Sequence, residues 1–566
     1  MIKNLPETFP ISAIEEFHFG DAEAKDDGLL STCPVPTAAL REFLEDRKDI
    51  VLGYRGTGKS AIVRLIVEQK VSFRQEEGFK ALNLALDEEY NYRSIREHLE
   101  KHATEAREKK LVCRVVWEVL ILYSGLKLII SKFDDCDTTL RQNLEELESL
   151  LGISTRVGVF QLLLSHKKKI GVKFDALHPN IVDFYAGLDP SSDASAAAVP
   201  TIRLGEYKKN LNDFLERRRT NLYVLFDRLD DFVIQEDYDT QKLLLQGLLA
   251  AQNDCRGKYL RIRIKTFFRT DLFRRLDLNE FGPDKILPRC VELTWTHTAI
   301  RQLIAKRVAH NLISALRLKS LEISVDDDQF HITRAELERL HEVKLTIRNF
   351  NVFRASHWKR LWWYLNMRSR SSFREEGRKQ SSLDVVNTAI ITSAFPRSVL
   401  HKKRNGSEAS IDIFEYLESH FQFAHGHTTP RAILTFLSEV LSATKKYYAE
   451  NIDITSLKRD PNGEYPLFLK SAIKNAYEQF RKHAWDVQYH WAANEWRPFV
   501  ATIQNLGSPE FTFEVFAEHI PAAEQTYRHV LAFLDHTGLI NCENPHERLQ
   551  DRRYRMPIMF QRCTDE

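Results

Sequence analysis

The sequence predicts an α/β core followed by a mostly helical region, and three stretches carry that prediction. Asp49-Ile50-Val51-Leu52-Gly53-Tyr54-Arg55-Gly56-Thr57-Gly58-Lys59-Ser60-Ala61-Ile62-Val63 reads as a buried strand, a glycine-rich turn and a helix with Ile62, Leu65 and Ile66 on its core side. Asn221-Leu222-Tyr223-Val224-Leu225-Phe226-Asp227-Arg228-Leu229-Asp230-Asp231 sets an apolar run in front of an acid, the pattern of a central strand buried on both faces. Thr428-Thr429-Pro430-Arg431-Ala432-Ile433-Leu434 opens a helix with a cap, a proline in its first turn and an apolar stripe that continues through Leu437 and Leu441.

The whole chain sets the bounds. Its 566 residues suffice for three or four domains, and 43% hydrophobic with 28% charged residues is an ordinary globular composition. A net charge of +2 gives no global basic field, so any nucleic-acid contact must come from a local patch. The seven cysteines are scattered and never fall in Cys-x-x-Cys spacing, which points to reduced thiols, a cytoplasmic setting and no zinc site. The N-terminus lacks an apolar leader and no run of about 18 apolar residues occurs, so no membrane association is expected. Val115 to Ile130, interrupted by Glu118, Ser124 and Lys127, reads as a buried helix.

In chain order, Phe17-His18-Phe19-Gly20-Asp21-Ala22-Glu23 is an aromatic-rich turn, either part of an adenine pocket through Phe19 or a strap packed on the core. A helix follows from Thr37 to Glu45, and then the glycine-rich turn. Gly53, Gly58, Lys59 and Ser60 complete the phosphate-loop pattern Gly-x-x-x-x-Gly-Lys-Ser in its strand-then-helix context. The chemistry needs these types. Gly53, Gly56 and Gly58 let the backbone turn N–H groups toward phosphate oxygens, and the flanking Arg55, Thr57 and Ala61 complete the cradle. Lys59 would reach the β- and γ-phosphates of ATP, and the Ser60 hydroxyl would join a Mg²⁺ shell.

Lys80 to Asp87 reads as a second strand, and residues 90 to 200 as a helical insertion with a small, polar loop at Ser191 to Ala198. Asp227 then sits where it can hold Mg²⁺ through water. Asp230 and Asp231 are either groups that orient the attacking water or solvated loop charges and caps. Arg228 stands where many ATPases carry a Glu. Thr240 to Asn253 is helical, and Ile264 to Phe268 suits a core strand that delivers Arg269 and Thr270 beside the γ-phosphate. Arg274 and Arg275 either reach a neighbouring subunit's nucleotide or form a charged helix face. Cys290 to Trp295 reads as the last core strand, with Thr296 or Thr298 capping the next helix.

The helical second region contains the aromatic cluster His357 to Tyr364, core or stacking platform, and basic loops at Arg368 to Arg374 and His401 to Gly406. Arg431 projects from a helix N-terminus, where a cation is mildly unfavourable unless an anion lies nearby; it is a candidate sensor of the γ-phosphate. From Ala501 to Gln561 the pattern is helix, helix, helix, strand, turn, strand. Phe513 to His519 and Ala522 to Asp535 are the second and third helices, and Leu539 to Cys542 with Tyr554 to Phe560 form a β-wing. Arg528, His529, Arg552, Arg553 and Arg555 meet either DNA phosphates or, since Glu524 and Asp535 dilute the charge, a protein surface.

These motifs in this order resemble the AAA-like branch of phosphate-loop ATPases. Within it the chain is similar to origin-recognition initiators, to STAND-type ATPases and to bacterial single-chain ATPases encoded near mobile elements and anti-phage defence genes. The resemblance covers about residues 15 to 310 without the insertion, and more loosely 385 to 561. It implies an ATPase switch in which Lys59 and Ser60 bind phosphate and Mg²⁺, Asp227 is the metal acid, Arg269 the first sensor and Arg431 the second. It implies four parts: a lead-in at 1–48, a phosphate-loop core at 49–310, a helical lid at 311–480 and a winged helix at 481–566. Partners are ATP, DNA through the winged helix, and a protein partner or a second copy. Arg228 implies slow or partner-stimulated turnover. An alternative is a DNA-docking or scaffold protein whose nucleotide is structural.

Overall fold

The computed structural model describes residues 2–86, 106–151, 168–174, 182–188, 201–229, 238–274, 276–325, 328–338, 384–402, 408–424, 426–460, 464–465, 467–492, 494–506 and 508–561. The chain divides into two compact units. The first comprises Met1–Thr37, Arg55–Gly58 and Thr294–Glu566, and the second Ala38–Tyr54 with Lys59–Leu293.

The second unit is built on five parallel strands: β1 (Ile50–Gly53), β2 (Lys80–Leu86), β3 (Thr220–Phe226), β4 (Ile262–Arg269) and β5 (Cys290–Glu292). Their order across the sheet is β2-β3-β4-β1-β5, so β4 lies between the loop strand and the strand that ends at Asp227. All seven residues of β3 are buried, which explains its unbroken apolar run. The helix Lys59–Val67 buries Ile62, Val63, Leu65 and Ile66, and the long helices Ala106–Lys132 and Tyr238–Lys258 pack around a core that includes Trp117, Leu126, Leu244 and Leu248. The parallel sheet with its flanking helices is an α/β arrangement and fits the expectation of a phosphate-loop fold.

Those two long helices approach closely at Gly247. A Cβ there would lie 2.8 Å from the Arg114 nitrogen and the Cys113 carbonyl carbon, both backbone atoms that cannot swing aside. Gly247→Ala is therefore expected to cost about 1–2 kcal/mol, because overpacking outweighs the roughly 1 kcal/mol of helix propensity gained. A lowered thermal midpoint would show it; an unchanged or raised midpoint would contradict it.

The same helices share a charge cluster with Lys208 of the helix Leu204–Arg217. Lys208 donates to Asp254 at 2.7 Å and pairs with Glu118 at 3.2 Å, while Arg114 pairs with Glu118 at 2.7 Å. Burial alone would raise the Asp254 pKa, but the charge of Lys208 and the hydrogen bonds from Lys208 and Lys258 outweigh it and pull the carboxyl down to about 2. A depressed carboxyl stabilises the fold above its unfolded value and loses that contribution as pH falls. A drop of this size corresponds to about 2 kcal/mol, lost between roughly pH 4 and pH 2. Asp254→Asn should flatten that part of the stability–pH curve, measured by chemical unfolding; an unaltered acid limb would count against the cluster.

The predicted insertion is helical only in part. Helices Ala106–Lys132 and Thr138–Leu151 are followed by an antiparallel sheet of Lys168–Phe174, Val182–Leu188 and Thr201–Arg203. The reason is visible in Lys169-Ile170-Gly171-Val172-Lys173-Phe174, whose polar–apolar alternation has the period of a strand, not of a helix. Ser191 to Ala198 lies outside the described residues, as do Arg275, the cluster at 357–364, the basic loop at 368–374 and residues 403–407.

The first unit is mainly helical. His297–Ala315, capped by the Thr296 hydroxyl, and Pro430–Glu450, capped by Thr429, are two of its long helices. Lys470–Trp491 is a third, and the described part of the unit carries short antiparallel strand pairs and one small three-stranded sheet beside them. Near the C-terminus, Arg497–Asn505, Phe513–His519 and Glu524–His536 are helices. The strands there are shorter than the expected β-wing: Asn541–Cys542 and Glu510–Thr512 flank Arg553–Arg555, and Ile558–Phe560 is a 3₁₀ turn. Pro557 lacks the N–H that would continue the ladder. None of the described helices is long and apolar enough to cross a membrane, and the six described cysteines are free thiols.

Candidate functional site

Three neighbouring strands of the second unit bring candidate residues to the carboxyl edge of its sheet. Gly53 closes β1, Arg269 closes β4 directly opposite Gly53 in register, and Asp227 follows β3. Thr266 is level with Ile50 on one side and with Phe226 on the other, so Asp227 leaves the sheet about two residues short of Gly53. With strands ~4.8 Å apart, the two positions are separated by roughly 10 Å across the sheet, with the end of β4 between them. This is the edge at which open parallel sheets bind ligands.

Hydrogen bonds hold several of the groups there. Lys59, only 8% exposed, opens its helix and donates Nζ to the Gly53 and Tyr54 carbonyls at 3.0 and 3.1 Å. Ser60 and Ala61 follow in the first turn of that helix. Asp227 is 4% exposed, and its backbone N–H reaches the Leu86 carbonyl at 3.4 Å. Arg269 forms a two-pronged pair with Asp271, Nε to Oδ1 at 3.0 Å and Nη2 to Oδ2 at 2.8 Å. Beside it the Thr270 hydroxyl is buried without a hydrogen-bond partner. Arg228 holds φ at +55°, in the left-handed region that costs a side-chain-bearing residue roughly 1–2 kcal/mol, so strain is stored next to Asp227. Asp230 and Asp231 lie outside the described residues.

The loop tip, Arg55–Gly58, belongs to the first unit. Gly56 and Gly58 have φ of +77° and +95°, values open to glycine and strained for other residues, and they let successive amides turn to one side. A Cβ on Gly56 would lie 2.9 Å from the Arg431 Cβ, so the tip and the start of Pro430–Glu450 are in direct contact. The Arg431 backbone N–H donates to the Gly56 carbonyl at 3.4 Å. Its guanidinium lies 3.6 Å from the Glu23 carboxylate, an anion that answers the unfavourable helix end. Thr57 is buried, and its carbonyl accepts from the indole N–H of Trp295 at 2.8 Å.

Phe19 is a packing residue. It is 1% exposed with its ring centroid 5.9 Å from that of Phe468, and its carbonyl accepts from Arg307, which also grips Asp27. The lead-in is thus a strap in the core of the first unit, and a ring so enclosed offers no face to a base. Trp295, by contrast, shows in the sequence only as the end of an expected strand. Its contact with Thr57 spans 238 positions and leaves no local trace. At the C-terminus, Arg528 pairs with Glu524 at 2.5 Å and Arg555 with Glu510 at 3.8 Å, while Arg552 donates to the Glu547 and Pro545 carbonyls. Arg274 is exposed, and no cluster of metal-ligating side chains occurs among the described residues.

No family model matches the chain. Over 303 residues it is 24% identical to the Escherichia coli (strain K12) protein named "Putative transposon gamma-delta 80.3 kDa protein", a match that covers 51% of this chain and 39% of that one. The chain therefore spans about two-fifths of that curated relative's length. Among solved structures, the Aeropyrum pernix ORC1 protein in complex with DNA aligns over 92% of this chain and 88% of its own, at 11% identity and a TM-score of 0.32. The Aeropyrum pernix ORC2 protein, in ADPNP–ADP complexes, aligns over 94% and 92% at 10% identity and a TM-score of 0.34.

Proposed function

We propose that this chain is a Mg²⁺-dependent ATP-binding and hydrolysing switch of the AAA-like or STAND type. The observation that carries the reading is the alignment of Gly53, Arg269 and Asp227 on adjacent strand ends, with Lys59 opening the helix that follows the loop. The residues present fit a bound triphosphate: positive-φ glycines at 56 and 58 form an amide nest, and Lys59 adds a cation. Ser60 and Asp227 would hold Mg²⁺, which neutralises charge on the transferred phosphoryl oxygens. Arg269 and Arg431 would stabilise developing negative charge, and Asp230 or Asp231 would orient the water. Arg228, in place of an acid, would make turnover slow and dependent on a partner.

On this reading the parts are a lead-in at 1–48, a core at 49–310, a lid at 311–480 and a winged helix at 481–566. The helix Pro430–Glu450 reports the state of the loop, since its first turn meets Gly56. The word transposon in the name of the relative favours a DNA-linked role; a cytoplasmic setting and a part in anti-phage defence belong to the proposal on the sequence resemblance alone. A second reading, a DNA-docking protein with structural nucleotide, rests on the C-terminal helices and small sheet with exposed Arg553.

The test is to measure the ATPase rate with and without DNA, and the mass of the particle in ATP. Slow Mg²⁺-dependent turnover supports the switch. No turnover with salt-sensitive DNA affinity supports the second reading.

A further inference from the structure

We propose that Trp295 is a positioning residue for the phosphate loop, aiming its anion-binding amides from the outer side; this rests on the nucleotide-binding reading above. A trans peptide is planar, so its C=O and N–H point in opposite directions. The Thr57 carbonyl and the Gly58 N–H share one such plane. The Trp295 indole donates to that carbonyl at 2.8 Å, which holds the oxygen outward and turns the Gly58 amide inward. The preceding plane is held in the same way: the Gly56 carbonyl accepts from the Arg431 N–H at 3.4 Å, turning the Thr57 amide to the opposite side. Two consecutive amides, in the part of the loop where glycines at 56 and 58 hold positive φ, are thus oriented by donors that belong neither to the loop nor to its helix.

The indole is itself anchored. Its ring packs on a small apolar cluster of Val35, Leu303 and Leu434, drawn from the lead-in, from His297–Ala315 and from Pro430–Glu450. Those segments therefore set the indole, the indole sets the Thr57 carbonyl, and the carbonyl sets the amide. A nest of amides binds phosphate oxygens well only when the N–H vectors converge before the ligand arrives, and releasing one of them returns ordering cost to the binding step.

The experiment uses the full chain and compares parent, Trp295→Phe and Leu434→Ala by isothermal titration with ADP and with ATP. Trp295→Phe keeps an aromatic ring for the apolar cluster and removes only the donor. It should weaken binding of both nucleotides by about three- to tenfold, the worth of one net hydrogen bond, without shifting the thermal midpoint of the ligand-free chain by more than a degree or two. Leu434→Ala disturbs the packing; it should lower the midpoint and weaken binding less than the loss of the donor does. If Trp295→Phe binds both nucleotides like the parent, the ring serves packing alone and the proposal is overturned. If the parent itself binds neither nucleotide, the underlying reading has failed instead.

Discussion

Lys59→Ala should abolish ATP turnover and weaken ATP binding by a hundredfold or more, a loss in the range of about 2–5 kcal/mol that truncating one partner of a buried charge pair costs. The lysine is 8% exposed and held by the Gly53 and Tyr54 carbonyls, so its charge is already desolvated and fixed beside the strand end. A phosphate arriving there meets a cation that has little ordering left to lose. Lys59→Met, which keeps the aliphatic stem and removes the charge, should lose nearly as much affinity while changing thermal stability little. Titration calorimetry and a phosphate-release assay measure both effects, and parent-like binding in either variant contradicts the assignment of Lys59.

Asp227→Asn is expected to separate metal from nucleotide. The carboxylate is 4% exposed at the end of an entirely buried strand, so an amide of the same shape should be accommodated without unfolding. Binding of ATP in the absence of Mg²⁺ should be unchanged or tighter, because a negative charge near the phosphates is removed. The strengthening of binding by Mg²⁺ should vanish, and turnover should fall by about a hundredfold or more, as expected when a group that stabilises charge mainly in the transition state is lost. Mg²⁺ titrations of the rate give the answer; a variant with parent-like Mg²⁺ dependence would remove Asp227 from the metal site.

The local structure around many of the candidate site residues was legible because each segment carries its own signal. Three apolar residues before Gly53 make a strand, glycines at 56 and 58 make the turn, and Thr429-Pro430 opens a helix one residue before Arg431. The run ending at Asp227 is uniformly apolar because both faces of β3 are covered. What stayed hidden depends on contacts between distant residues. The order of strands, which sets Arg269 between Gly53 and the end of β3, is a property of pairing and not of any one segment. Glu23 meets Arg431 from the far end of the chain, and Trp295 meets Thr57 across more than two hundred positions. Phe19 is sequestered by Phe468, a residue no local pattern links to it. The antiparallel strands after residue 167 depart from the helical expectation for the insertion, and their alternation is the sign that tells the two apart.

The most direct test of the account is the stoichiometry of ATP bound to the purified chain, by equilibrium dialysis with excess Mg²⁺ and again with a chelator. Saturation at one nucleotide per chain, tighter with Mg²⁺ than without, is the predicted result. Failure to saturate at millimolar ATP would contradict it, as would affinity that is indifferent to Mg²⁺.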